Sequence, residues 1–242
     1  MTAKPLSIAW FRQDLRLSDN PALNAAAAAG SVLPIYILDD VNAGNWAMGA
    51  ASRTWLHHSL ESLNRALDGR LRIFRGDARE VVSRLAASLP VESVFWNRCY
   101  EPWRIKRDAQ IKSDLLDRGI DTRSFNASLL WEPWSVSKND GTPYRVFTPF
   151  YQKGCLSLPT PRQPLAPPKH IDWHTSAIDS LSIADLELLP TASWHQSLCQ
   201  HWQIGEAAAA QKFETFWQAT LIDYKRGRDF PALDATSRLS PH

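Results

Sequence analysis

Apolar positions in the first half of the chain come in two rhythms, short continuous runs and helical stripes, and the rhythms take turns. Residues Leu6–Phe11 are an apolar run. Asp19-Asn20-Pro21 then reads as a helix start, a capping side chain followed by proline at the first helical position. The alanine run at 25–29 has high helix propensity, and Gly30 is a natural terminator. A second strand is predicted over 32–38. The next helix is predicted over 53–67, where Leu56, Leu60, Leu63 and Leu67 share one face. A third strand follows at 71–74, and Val81, Val82, Leu85 and Leu89 mark another amphipathic helix. The fourth strand falls at 91–96. A weaker helix begins near Trp103, with Ile105, Ala109 and Leu116 expected on its inner side and Gly119 at its end. Residues 120–125 complete the set. Repeated strand–helix units imply parallel strands, right-handed crossovers and helices on both faces. The expected architecture over 1–132 is a five-stranded, doubly wound parallel α/β sheet.

The pattern then changes. Residues 134–190 are rich in proline and poor in periodic segments. A structureless stretch of that length reads as a connector lying over a surface, here over 133–194. Trp131, Trp134, Phe147, Phe150 and Trp173 suggest that it packs down. A helical pattern resumes near Glu206, with Ala209, Phe213, Phe216 and Tyr224 close to one face, and is expected to end near Tyr224. Little sequence remains to cover that aromatic face, so 195–242 is expected to be the truncated start of an all-helical unit.

Composition narrows the function classes. Lysine and arginine total 27 against 25 acidic residues, a formal charge of +2. That balance supports nucleic-acid binding only where the basic residues cluster. Three widely spaced cysteines, Cys99, Cys155 and Cys199, make neither a disulfide framework nor a zinc site. The sequence has no apolar run of membrane-spanning length and no secretory pattern at the N-terminus; the cysteine pattern makes a reducing cytoplasm the expected compartment, and a monomer is expected as well. The eleven tryptophans are read mainly as packing residues. No G-x-G-x-x-G follows the first strand. Arg12-Gln-Asp-Leu-Arg16 stands there and is too bulky for close approach to a pyrophosphate, which disfavours an ordinary dinucleotide dehydrogenase. P-loop, H-E-x-x-H and G-x-S-x-G motifs are absent from the sequence.

Four segments remain as candidate chemistry. Asp14, Arg16 and Asp19 follow the first strand, where an α/β sheet presents functional residues, although a local salt-bridge and capping cluster that shapes the turn is the simpler explanation. Trp96-Asn97-Arg98-Cys99-Tyr100-Glu101-Pro102 follows the fourth strand and offers either ligand contacts or helix caps. Lys225, Arg226 and Arg228 make a short basic patch, a solvated surface or a phosphate contact. Thr236-Ser237-Arg238-Leu239-Ser240-Pro241 looks like an anion site at a helix start, with Arg238 as charge partner.

Together these pieces resemble the photolyase/cryptochrome family along nearly the whole chain. Trp10-Phe11-Arg12-x-Asp14-Leu15-Arg16-x-x-Asp19-Asn20-Pro21-x-Leu23 is similar to the family's opening strand and helix. Trp96-Asn97-x-x-Tyr100-Glu101-Pro102 is similar to its fourth strand edge. The segment 141–150, Gly-Thr-Pro-Tyr-Arg-Val-Phe-Thr-Pro-Phe, resembles its linker signature. Tyr224, Arg228-Asp229-Phe230-Pro231 and Thr236-Ser237-Arg238-Leu239-Ser240-Pro241 resemble the entry to its flavin domain.

The resemblance implies a Rossmann-like antenna domain, a linker, and a helical domain holding FAD. It implies a lyase that splits cyclobutane pyrimidine dimers in damaged DNA by electron transfer from excited reduced flavin, the lesion being flipped out of the duplex. A cryptochrome-type blue-light sensor and a stand-alone chromophore- or nucleotide-binding module are the alternatives. By motif match, Tyr224, Thr236, Ser237, Arg238, Leu239 and Ser240 would contact FAD, and Arg228 would approach a DNA phosphate. No catalytic or metal-binding residue is assigned, and the chain alone is expected neither to hold FAD stably nor to repair DNA. Folate-antenna members carry Asn and Glu shortly after the Tyr-Glu pair. Trp103 and Arg104 stand there, which argues against a folate antenna and leaves a deazaflavin or another chromophore open.

Overall fold

The computed structural model describes residues 4–240. Its centre is a parallel sheet of β1 (Leu6–Phe11), β2 (Ser31–Leu38), β3 (Arg72–Arg75), β4 (Val91–Asn97) and β5 (Asp121–Phe125), in the order β3-β2-β1-β4-β5. Four helices make the crossovers: α1 (Pro21–Ala29), α2 (Ala50–Ala66), α3 (Ala78–Ser88) and α4 (Pro102–Leu116). This is the doubly wound α/β architecture that the strand–helix rhythm predicts. β1 shows why both faces need cover. Its Leu6, Ile8 and Trp10 point to one face, against Val81, Val82 and Leu85 of α3 and Ile111 and Leu115 of α4. Its Ala9 and Phe11 point to the other, against Leu23 of α1 and Leu56, Leu60 and Leu63 of α2. A strand buried on both sides reads as a continuous apolar run.

The start of α1 forms as the sequence indicates. Asn20 caps it by accepting the Leu23 amide at 3.0 Å, with Pro21 at the first position. Asn97, at the end of β4, adds a cap across the sheet by accepting the Ala22 amide at 3.2 Å. At the other end, Gly30 is needed for space. Its backbone is near the extended limit (φ 162°), and a β-carbon there would run into the Pro5 carbonyl oxygen. Gly30→Ala is therefore expected to cost about 1–3 kcal/mol as an overpacked contact. A urea titration measures it, and an unshifted midpoint would refute the close approach.

Two expectations are corrected. α2 starts at Ala50 rather than at 53, because Arg53 turns back to the Met48 carbonyl (2.9 Å) and Asp40 (2.8 Å) and pins a helix that is already running. On α4 the inner side is Arg107, Asp108, Ile111 and Leu115, while Ile105 and Leu116 stand about half exposed. Two charged residues point inward because buried partners, Arg12 and Asp39, await them just past the ends of β1 and β2. Hydrophobic spacing alone cannot report that.

Beyond β5 the chain is mostly irregular, but it is tied down. A two-residue strand, β6 (Asp172–Trp173), pairs with Ser31 and Val32 on the edge of β2 that β3 leaves uncovered. Leu186 and Leu188 are buried in the α1/α2 face of the core. Trp173 packs there too, whereas Trp134 and Phe147 remain largely exposed. Two further helices follow, α5 (Trp194–His201) and α6 (Glu206–Thr215), and irregular turns carry α6 on to a last short helix, Tyr224–Gly227. Among the described residues no helix is long and apolar enough to cross a membrane.

Candidate functional site

A cavity of about 1040 Å³ opens at the carboxyl ends of β1 and β2 and reaches the N-terminal turn of α4. The strand order reverses between β1 and β4. In an open α/β sheet, that switch point is where ligands bind. The volume is that of a site for a large organic ligand. Small residues of α2 that face the cavity, the exposed Ser52 and the buried Ser59, leave room where leucines elsewhere on the helix fill the core. On the far side α6 closes the wall. Glu206 accepts the Leu17 and Ser18 amides at 2.8 Å each, which holds α6 over the β1–α1 turn, and Gly205 and Ala209 face the cavity.

The lining is aromatic. Trp10, Tyr36, Trp46, Trp55 and Trp103 all contribute. Arginines reinforce it. The Arg12 and Arg107 guanidinium carbons each lie 5.1 Å from the Trp10 ring, and those of Arg104 and Arg107 lie 4.8 and 5.1 Å from Trp103. Below them is a buried ionic network. Arg107 binds Asp39 at 3.0 Å and Asp108 at 2.8 Å, and Arg12 pairs with Asp108. Two cations against two anions leave it neutral. Arg12 also donates to the Asn97 carbonyl, tying β1 to β4.

Several groups in this lining are poised for a ligand. Trp10 Nε1, Arg12 Nε, Glu101 Oε2 and Arg104 Nε are buried without a hydrogen-bond partner. Arg104 Nε stands 3.6 Å from Glu101 Oε1, too far for a hydrogen bond. Buried polar atoms are nearly always satisfied, so four orphans around one cavity fit a flat aromatic guest with polar edges. Burial pushes the Tyr36 phenol well above its usual range, so it stays a neutral hydroxyl donor. Tyr100, beside the site, is pushed up to about 12 by burial and by its 2.8 Å hydrogen bond to Glu132.

Burial also raises the Cys99 thiol, and the opposing fields of Arg12 and Arg104 do not restore it. Cys155 is buried and Cys199 is partly exposed. A thiol reagent at neutral pH is therefore expected to label Cys199 first and spare Cys99 in the folded protein. Peptide mapping after short exposure checks this, and early labelling of Cys99 would contradict it.

The residues singled out in the sequence fall in different places. Asp14 accepts the Arg12 amide (2.9 Å) and the side-chain amides of Asn20 and Asn97, so it shapes the turn after β1. Arg16 donates to the Ser18, Asp19 and Ala127 carbonyls. Asp19 pairs with Arg162 and accepts the Leu165 amide at 3.0 Å. Glu101 lines the cavity and accepts from Gln13 at 2.7 Å.

At the other end of the chain, the Tyr224 ring meets Phe216 edge to face at 5.8 Å. Arg228 lies over Tyr224 and 3.7 Å from the Asp229 carboxylate. Thr236 and Ser240 are exposed and Ser237 is half-buried. Arg238 takes a left-handed backbone (φ 50°) and pairs with Asp234 at 3.2 Å. Leu239 reaches the cavity wall, and Pro241 lies outside the described residues. Trp10, Tyr36, Trp55 and Arg107 were not legible as site residues. The one available signal was their position near strand ends or on helices beside them.

A doubly wound sheet with an aromatic, ligand-sized cavity at its switch point is the architecture of a ligand-binding α/β unit. The family model described as DNA photolyase matches residues 7–169. A deoxyribodipyrimidine photo-lyase of Agrobacterium fabrum is 40% identical over 97% of this chain and 49% of its own length. The solved bacterial class III photolyase from Agrobacterium tumefaciens superimposes with a TM-score of 0.91 at 38% identity, covering all of this chain and 50% of that one. An archaeal photolyase from Sulfolobus tokodaii, solved with two FAD molecules, gives 0.73 at 27% identity over 98% of this chain and 51% of that one. The chain belongs to the DNA photolyase family. It spans about half the length of these relatives.

Proposed function

We propose that this chain supplies the chromophore-bearing α/β unit, the linker and the entry to the flavin region of a light-driven DNA-repair flavoprotein, a lyase that splits pyrimidine dimers. The observation that carries the reading is the switch-point cavity, with its tryptophan floor and unpartnered polar edge. The Sulfolobus tokodaii photolyase was solved with two FAD molecules, with the implication of a novel light-harvesting cofactor, and a planar heterocycle of that kind suits this lining. When bound, such a chromophore supplies light absorption. Trp10 and Trp103 would stack on it, Arg12 and Arg104 would hold its polar edge, and α6 would exclude water. Trp103 and Arg104 both line the cavity, so the two departures from the folate pattern sit where a ligand would feel them. That favours a flavin- or deazaflavin-type ring over a folate.

At the chain's other end, Tyr224 and the 236–240 segment are proposed to meet FAD, with Arg228 turned to a DNA phosphate. Exposed hydroxyls at Thr236 and Ser240 are compatible with that role. The test is to titrate the protein with riboflavin, a deazaflavin and methenyltetrahydrofolate and read induced circular dichroism in the chromophore band. Binding of a flavin-type ring, weakened about tenfold or more by Trp103→Ala through lost stacking, is expected. No binding of any of the three would refute the cavity's role, and preference for the folate would refute the chromophore class.

A further inference from the structure

Away from the cavity lining, α2 carries a second constellation. His57 Nε2 stands 3.3 Å from one oxygen of Glu61, and His58 Nδ1 stands 3.0 Å from the other. The three ligand atoms all lie within 4.8 Å of one another. We propose that His57, His58 and Glu61 bind a divalent d-block cation of the zinc class, with a water completing the shell.

The spacing suits it. Tetrahedral zinc with bonds of about 2.0–2.2 Å separates its ligand atoms by about 3.3–3.6 Å; the two histidine–carboxylate distances are close to that, and side-chain rotation must close the rest of a set that lies within 4.8 Å. One turn of helix presents residue i and residue i+4 on the same side, and His58 reaches the same carboxylate from i+1. Both imidazoles converge on this one carboxylate, their rings edge to face at 5.1 Å. The donor set, two imidazole nitrogens and one carboxylate, selects zinc-like ions over magnesium or calcium, which prefer oxygen. The side chains of His58 and Glu61 are 30% and 45% exposed, so an ion can enter and keep a water, while packing holds His57 at 12%. His57 Nδ1 has no hydrogen-bond partner. Without that outer support, affinity is expected to fall about 10–100-fold below that of a fully braced site. The cysteines take no part.

The experiment is calorimetric titration of the tag-free chain with ZnCl₂ near neutral pH, with MgCl₂ as comparison. A single zinc ion per chain is expected, and no response to magnesium. His58→Ala and Glu61→Gln, both at exposed positions, should each weaken zinc binding by about tenfold or more while far-UV circular dichroism stays unchanged. Zinc should raise the thermal midpoint of the unsubstituted chain and not that of Glu61→Gln. Cys199→Ser should bind as the unsubstituted chain does. Absence of zinc binding, binding untouched by both helix substitutions, or loss in Cys199→Ser instead would each overturn the assignment.

Discussion

Replacing Arg107 with alanine is expected to cost about 3–5 kcal/mol of folding stability, because it leaves buried carboxylates without their cation. The Arg107, Asp39 and Asp108 side chains are only 6%, 3% and 11% exposed. Asp39 keeps the Asn42 side chain (2.9 Å) and the Ala78 amide (3.3 Å), and Asp108 keeps Arg12, so both remain anchored. Two buried anions then share one buried cation, Arg12, which pairs with Asp108 and leaves Asp39 without the cation it had. The exposed pair of Arg79 and Asp114, at 2.7 Å, is the contrast. Arg79→Ala should leave the denaturation midpoint nearly unchanged, since solvent screens such pairs. Urea unfolding of the two variants side by side decides the matter. Equal effects would show that the network beneath the cavity contributes no more than a surface contact.

The second large effect concerns the cavity. Ala209 on α6 faces it. Ala209→Trp places an indole in the space proposed for the chromophore and is expected to lower chromophore affinity by about 100-fold, or about 2.8 kcal/mol. Stability should barely change, because the added ring enters a void rather than a packed core. Gln211→Trp, at an exposed position on the same helix, serves as the control and should bind normally. Undiminished binding in Ala209→Trp would place the chromophore elsewhere. A loss in both variants would point instead to displacement of α6 as a whole.

The sequence by itself determined the layered α/β order, the strand positions and the start of α1, because each rests on local chemistry. A continuous apolar run signals a strand buried on both faces. Asn20 and Pro21 act within a single turn of chain. Family membership was legible for a related reason, since its motifs are short strings at turns and caps. The tertiary structure alone decided which side of α4 faces inward. Apolar spacing favoured Ile105 and Leu116, but Arg107 and Asp108 turn in because Asp39 and Arg12 meet them from just past the ends of β2 and β1. Asn97 looked like a candidate cap for the helix after its own strand, and it caps α1 instead, across the sheet. The cavity was invisible for the same physical reason. Its tryptophans and arginines come from separated segments, and a ligand-sized space is a property of how elements pack, which no one-dimensional period records.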